Sequence, residues 1–142
     1  NVNGREYDLF PEPKDLHGAT VEQLRLMQFS NRKAEYLLDL SRAVVNGDLE
    51  LEKTGKSDYH TALNNLLAVR GIGIWSANYI LMRGAGHLDC LPLGDSGLHR
   101  AVRNLYKLKK APEKEKVEKL AAPFAPYRSL YTLYLWYSLL DE

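Results

Sequence analysis

The chain has 142 residues, of which 45% are hydrophobic and 26% charged; that suffices for one ordinary globular domain with its own core and excludes disordered and fibrous classes. Its formal net charge of +1 conceals a segregation, because residues 1–58 carry eight basic against eleven acidic side chains and residues 99–120 carry eight against three. No apolar run approaches the ~20 residues that a membrane-spanning helix needs, so no membrane partner is expected. The basic end reads as a solvated helix face or as a surface for phosphate. The single cysteine, Cys90, can neither close an internal disulfide nor supply the thiolates of an iron–sulfur cluster, which points to a reducing compartment. Asn1-Val2-Asn3 opens the chain without an initiator Met or a signal peptide, as a fragment would.

Helical periodicity dominates from end to end, and the expected fold class is all-α. Thr20 with Gln23 forms a capping box for a helix of about two turns through Leu24 and Met27. Ser30 or Asn31 then caps a longer helix whose Ala34, Leu37, Leu38, Ser41, Val44 and Val45 share one buried face, with Gly47 as its stop. Ser57-Asp58 introduces a third helix to about Ala68, and a Gly71-Ile72-Gly73 turn joins it to a fourth over Ile74–Arg83. The loop from His87 to Gly94 delivers the chain to Asp95, a good N-cap for a helix to Tyr106. Pro112 predicts a helix start at its first position, with Glu113 and Glu115 in the opening turn. Pro126 begins the last helix, whose stretch from Leu130 to Tyr137 is apolar nearly all round and therefore expected to be buried, with Tyr131, Tyr134 and Tyr137 in the core.

The informative stretch is the hairpin at about 66–79. Two helices joined so tightly need glycines where the backbone takes positive φ or approaches another group closely. The first amides of the second helix then point outward with the positive end of the helix dipole, a ready site for phosphate. Sixteen positions after Tyr79, Leu91-Pro92-Leu93-Gly94 sets the carboxylate of Asp95 at a helix start; Asp89 shares the loop without a helix start of its own. The four histidines show no metal-ligand spacing. His99, one turn after Asp95, reads as a surface or capping residue, with an acid/base partner as the alternative.

A helix-hairpin-helix followed at this distance by a Pro/Gly-containing loop ending in Asp resembles the HhH-GPD superfamily of base-excision DNA glycosylases. Gly71 to Tyr79, and Pro126-Tyr127-Arg128-Ser129 with Trp136, look like its 3-methyladenine DNA glycosylase II branch. Phe10-Pro11-Glu12-Pro13 and Asn31-Arg32-Lys33-Ala34-Glu35 join the resemblance, which thus covers nearly the whole chain.

The resemblance implies one partial all-α glycosylase domain over 1–142 that excises alkylated purines from double-stranded DNA. It makes Asp95 catalytic, a carboxylate beside C1′ that stabilises an oxocarbenium-like sugar. It makes Trp75, Tyr79 and Trp136 the walls that stack on the flipped base, and Gly71, Gly73 and Ser76 the contacts to the DNA backbone. It also implies that the carbonyls of Leu67, Val69 and Ile72 bind a monovalent cation, Na+ or K+, and that no cofactor is otherwise required. Members that also cut the strand use a lysine where Trp75 stands here, so a monofunctional enzyme is expected. The family's early helices and wedge residue precede the Phe10-Pro11 segment and have no counterpart in this sequence. A monomer lacking an N-terminal segment follows, placed in the bacterial nucleoid or a eukaryotic nucleus. Leu93-Gly94 stands where family members vary. The alternative reading is a non-catalytic helix-hairpin-helix module that grips DNA and excises nothing.

Overall fold

The computed structural model describes residues 4–7 and 9–140; Asn1–Asn3, Asp8, Asp141 and Glu142 lie outside the described residues, and with them the Asn1-Val2-Asn3 chain start. The described residues form helices and connecting turns with no strand, which is the expected all-α class, and none of these helices is long and apolar enough to cross a membrane. Contacts group the chain into two compact units, Asn1–Glu50 and Leu51–Glu142.

In the first unit a 3₁₀ turn, Pro13–Leu16, precedes α1 (Val21–Leu26) and α2 (Asn31–Val45). Thr20 Oγ1 accepts from the Gln23 N–H at 3.3 Å while Gln23 Oε1 accepts from the Thr20 N–H at 2.9 Å, so the capping box closes. Ser30 caps α2 by accepting from the Lys33 N–H at 3.4 Å, which decides between the two candidate caps. Leu24, Ala34 and Leu38 make the core, with Leu16, Ala19, Val21 and Leu37 against it. Val45, expected on the buried face, is exposed, because it stands in the last turn, past the span that α1 and the 3₁₀ turn flank.

The second unit holds α3 (Leu51–Lys56), α4 (Tyr59–Leu67), α5 (Ile74–Arg83), α6 (Ser96–Leu105), α7 (Lys114–Ala121), a 3₁₀ turn (Ala122–Phe124) and α8 (Arg128–Tyr137). One cluster unites Ala62 and Leu66 of α4, Ala77, Leu81 and Met82 of α5, and Cys90. The other unites Leu98, Ala101 and Val102 of α6, Val117 and Ala121 of α7, and Tyr131 and Leu135 of α8. Helix α8 belongs to both, since Leu133 and Trp136 pack on the first.

Its third side faces outward: Leu130 is 42% exposed, Tyr134 74% and Tyr137 65%. A helix buried on every side, with Tyr134 and Tyr137 in the core, is therefore not what the protein builds, because the two clusters occupy only two sides of α8. Tyr131 alone of the three tyrosines is core. Two starts also shift. Glu113, not Pro112, is the N-cap side of α7, which begins at Lys114, and the Pro112 carbonyl is instead engaged by the His99 ring. Helix α8 begins at Arg128 rather than Pro126, where the Asp89 carboxylate accepts the Arg128 N–H at 3.2 Å. Helix α3 has no periodic face to announce it; Thr54 is buried and the His87 ring bonds the Gly55 carbonyl at 2.9 Å.

Candidate active site

The hairpin forms where the glycines predict. Helix α4, capped by Asp58 through the N–H groups of His60 and Thr61, ends at Leu67. The turn closes with Val69 N–H to Leu66 O and Ile72 N–H to Val69 O, both at 3.1 Å. Gly71 sits at φ +93°, a conformation that a side chain strains. Gly73 does not: its φ is −92°, and a Cβ there would meet nothing within 4 Å. Gly73 is the N-cap of α5 and offers no side chain to the first amides, so Ile74, Trp75 and half-buried Ser76 begin the helix with no side-chain cap over their N–H groups. The carbonyls of Leu67, Val69 and Ile72 lie on this turn, with Val69 O taking one intrachain hydrogen bond and keeping a second lone pair. A set of carbonyl oxygens suits a hard cation.

Asn78, four residues into the hairpin's second helix, ties the hairpin to the loop ahead of Asp95. Its Nδ2 donates to Ile74 O at 2.9 Å, and its Oδ1 accepts from the Tyr59 hydroxyl at 2.9 Å and from the Leu91 N–H at 3.1 Å. Burial holds the Tyr59 phenol above its ordinary pKa, so it remains a donor. The signal in the sequence was an asparagine, a poor helix former, inside a mostly apolar helix. From the far side, Ser129 of α8 accepts the Cys90 N–H at 2.9 Å and donates to His87 O at 2.7 Å. Burial pushes the Cys90 thiol up, away from the reactive thiolate.

The loop ends at Gly94, φ +91°, and Asp95 caps α6 by accepting the Leu98 N–H on Oδ1 at 2.7 Å. His99 steadies that loop: a carbonyl can only accept, so Nδ1–H donates to Pro112 O at 2.7 Å, and Nε2 accepts the Gly94 N–H at 3.3 Å. Both ring nitrogens are engaged, in loop contacts rather than a helix cap.

Trp75, Tyr79 and Trp136 come together on Asp95. Trp75 and Tyr79 stack with centroids 5.4 Å apart at 23°, and Tyr79 and Trp136 tilt at 43° with centroids 5.9 Å apart. The three rings touch in sequence, so they make one continuous aromatic surface rather than a slot open between them. Both indoles also donate to the carboxylate, Trp75 Nε1 to Oδ2 at 3.0 Å and Trp136 Nε1 to Oδ1 at 2.9 Å. Sequence reasoning had the ring faces and missed the N–H groups.

Comparison with known proteins identifies the family and the fold. The family profile described as "HhH-GPD superfamily base excision DNA repair protein" matches residues 2–126. The chain is 32% identical over 134 residues to the DNA-3-methyladenine glycosylase of Bacillus subtilis, covering 94% of this chain and 44% of that protein. The solved 3-methyladenine DNA glycosylase of Schizosaccharomyces pombe in complex with abasic DNA superposes with a TM-score of 0.83 at 28% identity, over 89% of this chain and 62% of that one. For the 3-methyladenine DNA glycosylase of Archaeoglobus fulgidus the TM-score is 0.82 at 30% identity, over 94% and 44%. The chain thus spans about half the length of the relatives it matches.

Proposed function

The chain belongs to the HhH-GPD superfamily of base excision DNA repair proteins, and from that membership we propose that the protein hydrolyses the N-glycosidic bond of alkylated purines in duplex DNA. The observation that carries this reading is a carboxylate fixed at a helix start, Asp95, in contact with an aromatic surface of Trp75, Tyr79 and Trp136. A DNA-gripping module needs neither.

The chemistry suits those residues. An alkylated purine such as 3-methyladenine is already cationic, so when the C1′–N bond breaks its electron pair neutralises the departing base and little protonation is needed. Positive charge then grows on the sugar, where a negative carboxylate lowers the barrier. Water adds to C1′ and releases a proton to solvent. Electron-rich rings hold the flipped, positively charged base by stacking and cation–π attraction. Phosphate meets the uncapped start of α5 at Gly73 and Ser76, with the turn at Gly71 bringing the backbone close. The carbonyls of Leu67, Val69 and Ile72 would hold a monovalent cation, which supplies positive charge beside a DNA phosphate.

Helix α5 contains no lysine, and Trp75 has no nucleophilic amine, which supports a monofunctional enzyme that uses water and leaves the abasic strand intact. The test is to incubate the protein with methylated duplex and analyse the released bases. Asp95→Asn keeps the helix cap, so it should bind DNA nearly as before while single-turnover excision falls about a hundredfold or more. Unchanged excision would remove Asp95 from the chemistry, and tight binding with no base released by the unsubstituted protein would make the hairpin a non-catalytic module.

A further inference from the structure

An ionised carboxylate has about four acceptor positions, two on each oxygen. In this site they are filled unequally. Oδ1 takes two donors, the Leu98 N–H at 2.7 Å and the Trp136 indole at 2.9 Å, whereas Oδ2 takes the Trp75 indole at 3.0 Å. Three helices supply these donors, α6 its own first turn, α8 Trp136 and α5 Trp75. Tyr79 packs against both indoles, so neither ring swings away without breaking a ring contact.

Gly97 points the same way. It lies in the first turn of α6 without a positive φ, and glycine there costs helix stability relative to alanine. A Cβ at this position would sit 3.1 Å from Asp95 Oδ1 and 3.5 Å from Trp136 Nε1. The backbone does not call for glycine here; the meeting of carboxylate and indole does.

We infer that Trp75 and Trp136 are positioning residues that act through their indole N–H groups, Trp136 anchoring Oδ1 of Asp95 beside the Leu98 N–H and Trp75 holding Oδ2, which with a single donor keeps an unused lone pair for the developing sugar cation. This rests on the proposed glycosylase chemistry and gives the two tryptophans a role separate from stacking. A carboxylate held from both sides needs no reorientation as charge develops, which is where preorganised electrostatics lower a barrier.

The experiment replaces Trp75 or Trp136 by benzothienylalanine, which keeps the fused ring and its stacking and substitutes sulfur for N–H. Each replacement should slow single-turnover excision at saturating DNA roughly tenfold or more, the scale of one hydrogen bond to a charged group, with little change in duplex affinity. In an Asp95→Asn background the same replacements should cost much less, because they act through that carboxylate. Gly97→Ala should slow excision while leaving the fold as stable or more so. Full excision rates in both benzothienylalanine proteins, or equal losses with and without Asp95, would overturn the inference while the glycosylase reading stands. If Asp95→Asn keeps full activity, it is the glycosylase reading that fails. The indole N–H resonances then test the anchoring alone: in Asp95→Ala both should move and exchange faster with water, and two unmoved resonances would refute it.

Discussion

Asp89 meets Arg128 at three points: its carboxylate accepts the guanidinium at 2.7 Å and 2.6 Å and the Arg128 backbone N–H at 3.2 Å. The paired guanidinium, opposed by some burial, holds the Asp89 carboxyl below the ordinary range. A depressed folded pKa stabilises the protein above the unfolded value of about 3.9 and ceases to do so as pH falls through the folded value. Asp89→Asn should therefore cost about 1–2 kcal/mol at neutral pH, the range for a partly exposed charged pair with a helix-start bond. Urea midpoints of the two proteins should converge below about pH 4; a gap that persists into acid would show that the effect is not the charge.

Within the hairpin the two glycines do different things, and their substitutions separate stability from binding. Gly71→Ala forces a side chain onto φ +93° and should destabilise by about 1 kcal/mol. Gly73→Ser meets open space and extended backbone and restores a capping hydroxyl, so thermal stability should hold or rise. It should nonetheless weaken affinity for damaged and undamaged duplex alike if phosphate binds as proposed, since the hydroxyl would compete with it for the first amides of α5 and carries no base readout. Paired melting curves and binding titrations check this; a loss confined to damaged DNA would move Gly73 into the lesion pocket.

At the scale of the second unit, the basic side chains of 99–120 gather on and between α6 and α7, and the fold brings Lys114 beside the Asp95 loop. A Cβ on Gly94 would lie 3.3 Å from Lys114 Cε and 3.6 Å from Nζ. In sequence order Lys107, Lys109 and Lys110 come before it. On the proposed glycosylase reading Lys114 would meet a phosphate near the target sugar, and affinity should fall steeply with salt. With lesion-bearing DNA and borohydride, the proposed monofunctional mechanism, in which water rather than an amine takes C1′, should give no covalent band. A strong band that disappears in Lys114→Gln would make that lysine the nucleophile and end the monofunctional reading.

Local rules were enough for much of this protein. The capping box at Thr20, the bounds of α5 between Gly73 and Gly84, and Asp95 as the N-cap of α6 follow from side chains satisfying backbone groups a few residues away, and such short-range physics is written in the chain. What crosses between elements was not. The outward stripe of Leu130, Tyr134 and Tyr137 depends on how many sides of α8 find neighbours, and α3 on contacts from Ala85 and His87 rather than on a face of its own. Asp89 serves a helix that starts 39 residues later, and the indoles that hold Asp95 lie 20 and 41 residues from it. Hydrophobic periodicity tells which face a helix buries; only the packed helices decide which donor arrives at which oxygen.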